Sequence, residues 1–236
     1  MIQAVFFDKT YTLVQQDPNK MKEIDEKVQR VLEEKGIYLS LNQITSLREK
    51  NQFFYRMGKI KSWKEITERM FEEFGISSPP HIEEEYRKTH LTMGKLYPHA
   101  KRVLEELKKL RLKIGLITES DTNKVESELN REKIRDLFDI IVVSSEIGKN
   151  KPSLTLFQAA LKKLNVNPKN SIYIGDRLLY DIMPAKKLGF KAVIWIRQGA
   201  HSKEGMNQLD SIRPDFIIED IYEVLRIIRE LIESDE

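Results

Sequence analysis

Six short apolar runs punctuate the chain, at residues 3–7, 113–118, 139–144, 171–175, 191–196 and 215–218. Each is continuously apolar rather than alternating, which is how strands covered on both faces read. Helical periodicity fills the gaps between them. Pro98 is expected at the first helical position of a segment whose stripe is Val103, Leu104, Leu107 and Leu110. Ser153 is expected to cap a second helix that turns Phe157, Ala160, Leu161 and Leu164 inward. A third spans 181–187 and stops at Gly189, and a last one carries Ile221, Leu225, Ile228 and Leu231. Strand–helix alternation of this kind predicts an α/β fold: a Rossmann-like three-layer core with a parallel sheet.

Residues 15–95 break the alternation, because they contain no convincing strand. Apolar positions recur at Met21, Ile24, Val28, Val31 and Leu32 before Gly36. Ser40 with Gln43, and Ser62 with Glu65, read as capping boxes that each start a helix. The second of these helices carries Trp63, Ile66, Met70 and Phe74 up to Gly75; after the breaker at 77–80 a further helix is expected near 82–91. The chain is therefore expected to divide into a Rossmann-like core of residues 1–14 and 96–236 and an inserted all-helical cap domain of residues 15–95. An insertion directly after the first strand sits over the carboxyl ends of the strands, where open parallel sheets bind ligands.

Composition narrows the class. The 236 residues include 40 Lys and Arg against 37 Asp and Glu, for a net charge of +3 with both signs interspersed. No strong field for nucleic acid or an anionic membrane results. The absence of Cys excludes disulfides, thiolate metal sites and cysteine nucleophiles together. No apolar run approaches the roughly 18 residues of a membrane span. The start, MIQAVFFDKT, reaches charge too early for a secretory signal. A soluble cytoplasmic protein is expected, and abundant Lys, Glu and Ile without Cys suits a thermophilic source.

Candidate chemistry lies just after the expected strands. Asp8 follows the first, in FFDKTYTL; Thr118 ends the second; Lys151 and Pro152 come after the third; Asp176 and Asp181 follow the fourth, in YIGDRLLYDI. Alone, each is an ordinary turn, cap or loop residue. Parallel strands, however, bring all their carboxyl ends to one edge. A nucleophilic carboxylate, a hydroxyl, an ammonium and two more carboxylates in one crevice suit phosphoryl transfer.

In order and in strand context, Asp8…Thr12-Leu13, Thr118, Lys151-Pro152 and Gly175-Asp176…Asp181 resemble the motifs of the haloacid dehalogenase-like superfamily of hydrolases. The resemblance covers residues 1–14 and about 96–218, with the helical insert where many members carry a cap. It implies that Asp8 attacks phosphorus and forms an aspartyl-phosphate, and that Thr118 and Lys151 hold the phosphoryl oxygens. It further implies Mg²⁺ on the carboxylates of Asp8 and Asp176 and the backbone carbonyl of Thr10, with Asp181 in support. The substrate would be a small phosphate monoester. The physics agrees: a carboxylate and a phosphate ester repel each other, so a hard cation and a nearby ammonium must bring them together.

One departure matters. The family's phosphatases usually carry a second aspartate two residues after the nucleophile as general acid and base, and here that position is Thr10, followed by Tyr11 where glycine is usual. Losing a positioned acid–base typically costs ~10²–10⁴ in rate. A slow or selective phosphatase is one outcome, with Glu119, Asp121 or Asp17 as a substitute carboxylate or good leaving groups making up the deficit. A 2-haloacid dehalogenase acting through Asp8 without metal is another, although dehalogenases generally lack the Gly175-Asp176 motif. A catalytically silent binding protein is the third. The string Asp8-Lys9-Thr10 also resembles the phosphorylation motif of ion-pumping ATPases, in which threonine stands at the same place.

Other features read as structural. The aromatic run Phe53-Phe54-Tyr55 suits a buried insert core, the lysines of 59–64 a solvated helix approach, and residues 230–236 a frayed tail. His81, His90, His99 and His201 lack metal-ligand spacing and are expected to be ordinary surface or core residues. No phosphate-binding GxxxxGK[ST] or GxGxxG loop occurs.

Overall fold

The computed structural model describes residues 1–56, 59–60, 62–199, 206 and 211–235; Lys61, His201 and Glu236 lie outside the described residues. In chain order the strands are β1 (Ala4–Phe7), β2 (Val14–Gln16), β3 (Gly94–Leu96), β4 (Lys113–Thr118), β5 (Ile140–Val143), β6 (Ser171–Gly175), β7 (Ala192–Ile196) and β8 (Phe216–Ile218). Six of them form one sheet in the order β5-β4-β1-β6-β7-β8, every pairing parallel. These six are the apolar runs of the sequence, shortened by at most a residue at each end.

Alternation along each strand feeds two cores. Val5 and Phe7 point to one side, against α5 (Ala100–Lys109), α6 (Thr122–Arg131) and α10 (Glu223–Glu233). Ala4 and Phe6 point to the other, against α8 (Leu154–Leu164) and α9 (Met183–Leu188). Both faces are covered, which is why the runs carry no polar alternation. The Rossmann-like three-layer core is therefore observed. The short α7 (Ser144–Ile147) follows β5. No helix among the described residues is long and apolar enough to cross a membrane.

Four helices intervene between β2 and β3: α1 (Pro18–Glu33), α2 (Leu41–Arg56), α3 (Trp63–Glu72) and α4 (Pro80–Thr92). They bury a core of their own, with Met21, Ile24, Val28, Leu32, Ile66, Met70, Ile82 and Tyr86. Ser40 and Gln43 form a reciprocal box: the Ser40 amide donates to Gln43 Oε1 at 2.9 Å and the Gln43 amide to Ser40 Oγ at 3.4 Å. At the second box the Glu65 amide donates to Ser62 Oγ at 3.1 Å.

Several expectations need correction. The stretch expected to lack strands begins and ends in one: β2 and β3 pair antiparallel, Val14 opposite Leu96 and Gln16 opposite Gly94, straddling both expected boundaries of the insert. Three-residue strands are too short to show a period. Pro98 precedes its helix instead of opening it, because His99 takes a left-handed φ of 68° and α5 starts only at Ala100. Leu110 lies past the end of α5 and is exposed. The expected 181–187 helix is a π-helical turn over Leu178–Ile182 that leads into α9. Helix α6 has no counterpart in the sequence reading, since its inward face carries Lys124 and Glu128 beside Val125 and Leu129.

Candidate active site

The register of the central strands sets the site. Phe7 pairs with Leu116 on one side and Ile174 on the other, so Asp8, Thr118 and Asp176 emerge together at the carboxyl edge. The Asp8 amide donates to the Ile174 carbonyl at 2.9 Å, holding the residue to β6. The chain then doubles back, with the amides of Leu13 and Val14 both donating to the Lys9 carbonyl at 2.9 and 2.8 Å. That turn needs a left-handed residue, and Tyr11 supplies it at φ 61°. Gly199 lies so close to the Tyr11 ring that a Cβ there would fall 2.4 Å away.

Lys151 is the hub. Its Nζ donates to Asp8 Oδ1 and Asp181 Oδ1, both at 2.6 Å, and to the Tyr173 hydroxyl at 3.1 Å. Tyr173 itself donates to Asp181 Oδ1 at 2.8 Å, and the Arg177 amide donates to Asp181 Oδ2 at 3.1 Å. Gly175 makes this packing possible, because a Cβ there would sit 2.5 Å from Asp181 Cβ. Trp195 Nε1 donates to the Asp176 carbonyl at 2.8 Å and fixes the loop after β6.

Three buried carboxylates thus surround one ammonium. Oxygens of Asp8, Asp176 and Asp181 lie within 4.8 Å of one another. Asp176 Oδ2 is fully buried and has no hydrogen-bond partner among the described residues. Burial pushes the Asp176 carboxyl well above the usual range, and the charges of Asp8 and Asp181 add to it. Burial raises Asp8 too, against the pull of Lys151. Burial alone would depress Lys151, but Asp181, Asp8 and Glu119 outweigh it and hold the amine charged. Negative charge exceeds positive, and an acceptor is left over. A hard divalent cation with oxygen ligands fits that donor set.

The carboxylates open on a cavity of about 550 Å³ whose walls include all six residues expected from the sequence: Asp8, Thr10, Thr118, Lys151, Asp176 and Asp181. Of the three substitute carboxylates, Glu119 reaches the cavity, where Arg177 Nη1 donates to it at 3.4 Å. Asp17 is the N-cap of α1, accepting from the Asn19 amide at 3.0 Å. Asp121 is the N-cap of α6, accepting from the Lys124 amide at 2.8 Å.

The inserted helices close the far side of the cavity with Met21, Arg48, Gln52, Tyr55 and His90. Arg48 is held by Asp25, to which it donates through Nε at 2.8 Å and Nη2 at 3.0 Å. His90 is no ordinary core histidine: its Nε2 lies 2.7 Å from Asp121 Oδ2. Burial lowers its pKa to about 4, with Lys124 pushing the same way against Asp121, so the imidazole is neutral at physiological pH and donates to an ionised carboxylate. No spacing rule marks residues 90 and 121 as partners; the contact exists only through the packing of α4 on α6. Lys9, whose charge has no evident use in the sequence, forms a fully buried ion pair with Glu128 of α6.

Comparison with known proteins places these features in context. The sequence pattern of the family described as haloacid dehalogenase-like hydrolase matches residues 19–195. A glyceraldehyde 3-phosphate phosphatase of Methanopyrus kandleri is 28% identical over 235 residues, which cover 98% of this chain and 99% of that protein. Its namesake in Methanocaldococcus jannaschii is 33% identical over 146 residues, 62% of either protein, so the matched part spans under two thirds of that relative. Among solved structures, a HAD phosphatase from Thermococcus onnurineus superposes with a TM-score of 0.68 at 22% identity, over 96% of this chain and 98% of the other. A 2-haloacid dehalogenase from Pseudomonas syringae pv. Tomato gives 0.69 at 19% identity, over 98% and 100%. At such identities the two structures speak for the fold alone.

Proposed function

The chain belongs to the haloacid dehalogenase-like hydrolase family, and from that premise we propose that it is a Mg²⁺-dependent phosphatase of small phosphate monoesters acting through Asp8. The observation that carries this reading is the set of three buried carboxylates around Lys151, with Asp176 Oδ2 left without a partner. Asp8, Asp176 and the Thr10 carbonyl would hold the cation, which when bound offsets the charge of carboxylate and phosphate. A dehalogenase that attacks carbon without metal has no use for Asp176, although Thr10 would suit it.

In the first half of the reaction an Asp8 oxygen attacks phosphorus and the bond to the ester oxygen breaks, leaving an aspartyl-phosphate and an alkoxide that takes a proton from water. Lys151 and Thr118 hold the phosphoryl oxygens as charge builds on them. In the second half water attacks phosphorus, the acyl phosphate bond breaks, and inorganic phosphate and the Asp8 carboxylate are released. Asp181 and Tyr173 keep Lys151 aimed at Asp8 throughout. The polar far wall, with Arg48 and Gln52, suits a small polar ester, as do the relatives named for glyceraldehyde 3-phosphate.

The deciding experiment is a panel of phosphorylated metabolites, aryl phosphates and 2-chloropropionate, assayed with Mg²⁺ and with chelator. Phosphate release that needs both Mg²⁺ and Asp8, and is lost in Asp8→Asn, is expected. Chloride release in chelator would replace this reading with the dehalogenase one.

A further inference from the structure

We propose that Asp121 is a positioning residue that ties the seating of the inserted helices to the geometry of the Thr118 loop. The inference rests on the phosphatase reading of the site above. Asp121 lies three residues beyond Thr118 and is itself buried. Its two carboxylate oxygens face different parts of the protein. Oδ1 accepts the Lys124 amide and so anchors the loop to the start of α6. Oδ2 accepts from His90 of α4 at 2.7 Å. One side chain therefore closes the loop that presents Thr118 and Glu119 and also holds α4 of the insert.

The rest of the α4–α6 seam shows why this end matters. At the other end of α6, Arg131 donates to the Leu91 carbonyl at 3.0 Å and to the Gly94 carbonyl, beside the β2–β3 ribbon. Ser127 Oγ donates to the Leu91 carbonyl at 3.4 Å. Those bonds secure the seam where the chain passes between core and insert. At the cavity end His90 of α4 meets Asp121, the N-cap of α6. His90 is in turn packed against Trp63, their ring centroids 4.8 Å apart. An ionised acceptor receiving a neutral imidazole N–H in a buried setting is a strong, directional contact.

Substitutions can separate the two jobs of Asp121. Asp121→Ser keeps an N-cap acceptor but is too short to reach His90. His90→Ala removes the contact from the other side, and His90→Gln returns an amide donor at similar reach. Each of Asp121→Ser and His90→Ala should lower kcat about tenfold, and His90→Gln should recover most of the loss. The double variant should be no worse than the more damaged single one, as for two halves of one interaction. Independent of turnover, both single variants should make Trp63 more accessible to acrylamide in a Trp195→Phe background. Multiplying losses in the double variant, or unchanged kcat in His90→Ala, would overturn the proposal. If wild type hydrolyses no phosphate ester, the phosphatase reading fails, and the Trp63 quenching then decides the Asp121 contact by itself: equal quenching in all variants would reject it.

Discussion

Lys9 and Glu128 pair with no solvent exposure on either side chain, one peptide bond beyond Asp8. Glu128 Oε1 also lies 3.9 Å from Lys124 Nζ, so the carboxylate sits between two cations. Taking away Lys9 leaves Glu128 in a dry site with the more distant Lys124 as its counter-charge. Lys9→Met should therefore destabilise the fold by about 3–5 kcal/mol, whereas Lys9→Met combined with Glu128→Leu should recover most of that loss. Urea unfolding of the three proteins checks this; equal stability of wild type and Lys9→Met would show that the pair carries no such weight.

Asp176 gives a second prediction, because its carboxylate is buried, close to two others and short of a partner. Without metal, Asp176→Asn relieves that repulsion and should melt a few degrees above wild type. With Mg²⁺ the order should invert: a ligand at 100 times its Kd stabilises by about 2.7 kcal/mol, and only wild type should gain it. Calorimetry with and without Mg²⁺ provides the measurement.

Thr10 lines the cavity without an ionisable group. If the missing proton donor limits the rate, Thr10→Asp should raise kcat on alkyl phosphates by at least tenfold and change aryl phosphates much less, since a good leaving group needs no proton. A fall on both would assign the threonine to another chemistry. Steady-state rates on paired alkyl and aryl esters distinguish the two.

His90 predicts a pH dependence of stability. Its folded pKa is depressed to about 4 from 6.5, first by burial and then by Lys124. Between those values the unfolded chain binds a proton that the folded chain does not, so stability falls as pH drops. The contribution is full above about pH 6.5 and is lost progressively toward pH 4, amounting to about 3 kcal/mol. The difference in unfolding free energy between wild type and His90→Gln, followed from pH 7 to 4, isolates it from the site carboxylates.

The strands and the motif residues were legible because both are local. Ala4–Phe7 and Ser171–Gly175 are covered on both faces, so burial writes itself as an unbroken apolar run, and Asp8, Thr118 and Asp176 stand at the ends of such runs. What escaped was set by partners far along the chain. Helix α6 hid because Lys124 and Glu128 are buried charges, tolerable only with Lys9 and its surroundings in place. His90 looked idle because Asp121 is 31 residues away. Left-handed His99 displaced a helix start that Pro98 seemed to mark.

Both passages of the chain between sheet and insert run through the paired residues of β2 and β3. The insert is thereby hinged on that ribbon and latched a second time where His90 of α4 meets Asp121. A change at His90 on its inner wall is therefore felt at Asp121, three residues from Thr118 on the floor of the cavity.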